Sequence, residues 1–158
     1  MLKAILILPG NVLITIPAII LYLNGFTIIP ATKIFSICVM FLLFSFGLGL
    51  MIWTMKLFSD IKHGSPAPWN PINKLITYGP YAYSRNPMLS GVFLFLGGEC
   101  LLFQSLALFY YLLIFILINA IYFPLWEEKD LQKRYGKEYE AYKQNVPRFL
   151  PRLKAWKK

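Results

Sequence analysis

The chain has 158 residues, 58% of them hydrophobic and only 15% charged, a balance outside the range of soluble domains. Sixteen Lys and Arg against seven Asp and Glu give a net charge of +9, which suggests a nucleic-acid partner until the charges are located. They lie between and after long apolar tracts, which argues against DNA or RNA and makes a lipid bilayer the expected solvent.

A bilayer core about 30 Å thick takes roughly 20 apolar residues as a helix. The first uncharged tract, Ala4 to Ile29, is longer than the core of a secretory signal and has no clean cleavage site, so it reads as a retained helix over 4–23, bent at Pro9 and Pro17. A second uncharged helix is expected over 34–57. The third tract, Met88 to Leu125, is too long for one span and holds a single ionisable residue, Glu99. A break at Gln104 and Ser105 divides it into helices over 88–103 and 106–126, roughly 24 and 31 Å long, forming a tight hairpin. The expected fold is thus an all-α integral membrane domain over 1–158 with about four transmembrane helices.

Between these tracts, residues 59–87 read as a loop, because Pro66, Pro68, Pro71, Pro80 and Pro87 each remove a backbone donor. After them, Leu131, Tyr135, Tyr139, Tyr142 and Val146 recur at helical spacing opposite Lys129, Lys133, Lys137 and Glu140. This predicts a tail helix over 127–145 whose apolar face lies on the membrane surface. With four spans and an inside amino terminus, fifteen of the sixteen Lys and Arg fall on one side and only Lys33 on the other. The positive-inside pattern then places both termini in the cytoplasm, at a cell membrane of the bacterial inner-membrane type, and attracts anionic lipid.

Function is to be sought on that basic side. An antiparallel hairpin turning near Gln104 brings Arg85, just before the third helix, to the same depth as Glu127 and Glu128, which follow the fourth. Adjacent carboxylates can hydrogen-bond ribose hydroxyls and an arginine can grip a carboxylate with two prongs. The plainer reading makes Arg85 an interfacial anchor and the glutamates the start of the tail helix. Cys38 and Cys100 sit in apolar tracts without paired spacing, so no disulfide framework or zinc site is expected, and the one histidine, His63, lies in the loop, where a solvated surface residue is the plainer reading than a catalytic base. Glu99 is a candidate for a substrate or proton role simply because a carboxylate in a membrane segment is costly. Trp69, Trp126, Tyr78, Tyr81 and Tyr83 gather near the same interface, as belt anchors or as stacking partners.

In order along the chain, the runs Gly64 to Pro71, Gly79-Pro80-Tyr81, Arg85-Asn86-Pro87-Met88, Glu127-Glu128 and Tyr135 to Tyr142 resemble the isoprenylcysteine carboxyl methyltransferase and phospholipid methyltransferase family, over about Gly64 to Leu153. The resemblance implies an S-adenosylmethionine pocket lined by Arg85, Asn86, Pro87, Glu127 and Glu128. Asn86 stands where many relatives have histidine, and Leu89 where many have tyrosine. Gly97-Gly98 lies where the family uses small residues for close approach to the cofactor, although helix packing explains it equally well. It also implies methyl transfer to a lipophilic small molecule or lipid headgroup, with Arg85 in the site and Glu128 or Tyr81 assisting if the acceptor must lose a proton. The rival readings are an NADPH-dependent reductase of the sterol-reductase type and a non-enzymatic membrane adaptor or transporter subunit.

Overall fold

A computed structural model describes residues 10–24, 34–59 and 75–156. The described residues are helices joined by short turns, with no strand among them. The bend expected at Pro9, together with His63, Trp69 and Lys33, lies outside the described residues.

Helix α1, Ile16–Leu23, follows one wide turn, Asn11–Thr15, in which the Ile16 N–H reaches back five residues to the Asn11 carbonyl. Pro17 accounts for the widening, since its ring lacks an N–H and crowds the carbonyl four residues earlier in a regular helix. Helix α2 runs over Ile34–Ser59 and α3 over Pro87–Phe103. The two pack antiparallel: Phe44 of α2 rests on Gly98 of α3, and Gly47 faces Gly91. A β-carbon on Gly47 would stand 2.7 Å from the Gly91 carbonyl oxygen, and one on Gly91 would stand 2.8 Å from that of Gly47. Backbones this close suit a lipid setting, where apolar burial gives helices no reason to prefer each other over acyl chains and van der Waals contact must hold them. Leu13, Met51, Val92 and Leu96 form the buried cluster around this contact.

Gln104 ends α3 in the left-handed region, with φ at 45°, and Ser105 Oγ accepts the Leu108 N–H at 3.4 Å to open α4, Leu106–Tyr122. A second wide turn, Phe123–Glu127, follows at Pro124 and leads into α5, Glu128–Tyr135. The stretch Leu106–Tyr135 is one helix of 30 residues whose apolar part ends at Trp126, so roughly 14 Å of it extends beyond that point. By length and apolarity two helices can cross a membrane, Ile34–Phe58 and Leu106–Tyr135; Asn11–Leu23 and Pro87–Phe103 are shorter apolar helices.

The tail differs from the expected surface helix. Glu127 belongs to the helix continuing from α4, and Gly136, with φ at 53°, separates α5 from a further helix α6, Lys137–Asn145. Glycine alone takes this backbone without strain. The apolar face of the tail is not spread outward: Tyr139 and Tyr142 are 2% exposed and Val146 1%, packed with Leu75 and flanked by Leu131, Tyr135 and Trp156. Its aromatic rings found protein rather than lipid.

Candidate functional site

Gly79 adopts a positive φ of 62° and starts a tight turn, Gly79–Ala82, with Pro80 at its second position. The turn directs the chain across the end of α2, with the Tyr81 ring edge-on to Phe58 at 5.9 Å, and delivers Ser84, Arg85 and Asn86 to the start of α3. Asn86 is the cap of α3: its Oδ1 accepts the Leu89 N–H at 3.3 Å, and Pro87 takes the first helical position, where a missing N–H costs nothing. The side-chain oxygen that the sequence reading reserved for a cofactor is therefore engaged in starting a helix. Asn followed by Pro was the signal for this.

Arg85 meets Glu128. Its Nη1 donates to Glu128 Oε1 at 2.8 Å and to the Tyr139 hydroxyl at 3.4 Å. Two cations that sequence reasoning had left unassigned join them. Arg148 Nε donates to the same Oε1 at 2.7 Å, and Lys143 Nζ stands 2.9 Å from Oε2, an ion pair too oblique for a directed hydrogen bond. Glu128 is 3% exposed. Burial favours its neutral form, but the hydrogen bond from Arg148, the close Lys143 ammonium and the charges of Arg85 and Arg148 outweigh burial and hold the carboxyl below its ordinary range.

Glu127, the next residue back, sits in a different setting. Consecutive helical residues diverge by about 100°, so Glu127 faces Tyr81 rather than the cation cluster. Burial raises its carboxyl above the ordinary range, with only the more distant charge of Arg134 opposing, and among the described residues it makes no ion pair. Burial, with the Glu127 charge second, pushes the Tyr81 hydroxyl far above its ordinary range, so it remains a proton donor at neutral pH.

The cation cluster depends on the segment 146–156, which runs as an irregular, bent strap beneath the Arg85 loop. The Arg85 N–H donates to the Pro147 carbonyl at 2.8 Å, Asn86 N–H to Arg148 at 3.0 Å, Arg152 N–H to Tyr83 at 3.0 Å and Trp156 N–H to Ala82 at 2.9 Å. Ser84 and Ser90 hydroxyls donate to the Arg148 and Phe149 carbonyls, each at 2.9 Å, and the Phe149 ring packs edge-on to Phe93 and Phe123. From the other side, the Tyr142 hydroxyl donates to the Tyr81 carbonyl at 2.7 Å.

The structure therefore brings together Arg85, Asn86, Pro87, Glu127, Glu128 and Tyr81. Gly97 and Gly98 stand apart: Gly97 faces Leu43 and Gly98 the Phe44 ring, roughly 15 Å along α3 from Pro87. Glu99 is buried near the same far end of α3, 8% exposed. Tyr78 and Tyr83 are exposed, as is Trp126. No group of three metal-ligating side chains occurs among the described residues.

Arg85 retains an unsatisfied donor. Its Nε is buried and has no acceptor among the described residues, while Nη1 is fixed by Glu128. An orphaned guanidinium nitrogen is costly, and its edge suits a carboxylate. S-adenosylmethionine carries such a group, so these residues fit that cofactor. Compared with known families, the chain matches the phospholipid methyltransferase family over residues 35–138. No curated protein and no solved structure matches.

Proposed function

The chain belongs to the phospholipid methyltransferase family, and on that premise we propose that it transfers a methyl group from S-adenosylmethionine to a lipophilic acceptor, an isoprenylcysteine-like carboxylate or a lipid headgroup, at the cytoplasmic face of a cell membrane. The observation that carries the reading is Arg85, pinned at one nitrogen and lacking an acceptor at another buried one.

When bound, S-adenosylmethionine supplies an electrophilic methyl group on a sulfonium and a neutral thioether leaving group. The remaining tasks are alignment and exclusion of water. Arg85 binds the cofactor's carboxylate through its open edge. Glu128 holds Arg85 and touches no ligand itself, since both of its oxygens are occupied by cations. Glu127 accepts from ribose hydroxyls, and Tyr81 donates beside it. For an amine acceptor, Glu127 is the better proton acceptor, because burial raises its proton affinity while the cations around Glu128 lower that of its carboxylate. Gly97 and Gly98 serve helix packing and lie outside the pocket. Four spans with both termini in the cytoplasm would put this site where a water-soluble cofactor and a lipid-borne acceptor meet. The one-sided distribution of Lys and Arg supports that orientation.

The test is calorimetric titration of the detergent-solubilised chain with S-adenosylmethionine, S-adenosylhomocysteine and NADPH. Micromolar binding of the first two, weakened in Arg85→Ala and in Glu127→Gln, is the expected result. Binding of NADPH alone, or of none of the three, overturns the reading; the NADPH result would point to the reductase.

A further inference from the structure

The family match ends at residue 138, yet two of the three cations on Glu128, Lys143 and Arg148, come from residues beyond it. Arg148 is fixed at both ends. Its carbonyl accepts from the Asn86 N–H and from Ser84 Oγ, and its Nε donates to Glu128 Oε1 at 2.7 Å. Arg85 Nη1 reaches that same oxygen at 2.8 Å. One oxygen thus takes two charged donors, each from its own direction, while Lys143 holds the other oxygen. The carboxylate has no freedom to turn, and the arginine attached to it has little.

We propose that Arg148 is a positioning residue of the cofactor site: through Glu128 it sets the direction in which the open edge of Arg85 faces, so the strap is part of the functional unit. The role of Arg85 toward a ligand rests on the methyltransferase reading; the arrangement of Arg148, Glu128 and Arg85 does not. Without Arg148, Glu128 is free to swing toward Lys143 and draw Arg85 with it. A lysine at this position keeps the charge but not the planar, directed N–H.

The test uses the full chain in detergent, with Arg148→Gln, Arg148→Lys and a strap control, Arg152→Ala. The Arg152 guanidinium donates to the Asn145 carbonyl at 2.7 Å and does not touch Glu128. Two quantities are read: affinity for S-adenosylhomocysteine, and thermal unfolding without ligand between pH 7 and 3. The groups facing Glu128 are Arg85 from the loop, Tyr139 and Lys143 from α6, and Arg148 from the strap. None of these titrates in that window, and Glu127, whose carboxyl does, is shared by every variant and takes no charge from Arg148, so a change of the acid limb between variants reports Glu128.

Arg148→Gln is expected to bind roughly tenfold more weakly or worse, as when an outer partner that orients a binding group is lost, and its melting temperature falls less below pH 5, because a folded carboxyl nearer its unfolded value loses less on protonation. Arg148→Lys restores the acid limb but not the affinity, and Arg152→Ala leaves both unchanged. Unaltered affinity in Arg148→Gln overturns the proposal, and so does an equal loss in Arg152→Ala, which would reduce the strap to a general support. If the wild-type chain binds no S-adenosylhomocysteine while the acid limb moves as expected, the methyltransferase reading falls and the placing of Glu128 by Arg148 stands.

Discussion

The two ends of α3 are held by opposite means. Along its length, α3 touches α2 through glycine backbones and rings, with Gly47 on Gly91 and Phe44 on Gly98, and no charge takes part. At its Pro87 end a loop, a helix and a strap are joined by one buried carboxylate, three cations and paired backbone groups. Van der Waals contact between backbones is short-ranged and intolerant of added volume. The charged cluster tolerates shape but not loss of charge. Substitutions should therefore separate the two regions by kind as well as by size.

The largest effect belongs to Glu128→Gln. It leaves three cations converging on a neutral amide in a site only 3% exposed, and breaking a buried ion pair in this way costs about 3–5 kcal/mol. A large fall in melting temperature and loss of S-adenosylhomocysteine binding are expected. The sign with pH follows. The folded carboxyl sits below its ordinary range, so its stabilisation is complete above the unfolded value near 4.5 and is lost as pH falls through the folded one. Glu128→Gln lacks that loss, and its melting temperature declines less between pH 5 and 3 than that of the wild type.

Gly47→Ala comes next and probes the other region. Its new methyl meets backbone rather than a movable side chain, an overpacking worth about 1–3 kcal/mol. Thermal melts should show it, while ligand affinity per folded molecule stays at the wild-type value; a change in affinity would mean that the regions are coupled. Tyr142→Phe removes the donor to the Tyr81 carbonyl and is expected to cost about 0.5–1.5 kcal/mol, with a modest loss of affinity because Tyr81 is tethered by it. Lys143→Ala should be smallest. Lys143 is 47% exposed, and screened pairs of this kind contribute at most about 1 kcal/mol, an effect that 0.5 M salt should abolish.

Which parts of this could be read from the sequence follows from how local each signal is. The all-helical character and the apolar tracts were legible because lipid demands long uncharged runs, and the polar pair Gln104-Ser105 stands out within one of them. The approach of Arg85 to Glu128 followed from hairpin topology alone. The roles of Lys143 and Arg148 were hidden because the strap reaches the loop through backbone bonds from Arg85 to Pro147 and from Asn86 to Arg148, distant in sequence, and such pairing leaves no periodicity. Pro147 and Pro151 flanking Arg148 did exclude a helix there. The tail's apolar face was visible, but spacing states only that a face exists, and Leu75 and Trp156 rather than lipid cover it. The two wide turns were legible only as prolines.

The strap also orders events in time. A ribosome adding 5–20 residues per second needs roughly 3 to 13 s to pass from Ser84 to Arg148. During that interval α3 and α4 are made, and Arg85 waits without the carboxylate for most of it and without Arg148 for all of it. The contact of Arg148 with Glu128 therefore forms last, and a nascent chain with an unfinished tail holds Arg85 and Glu128 without the arginine that fixes them.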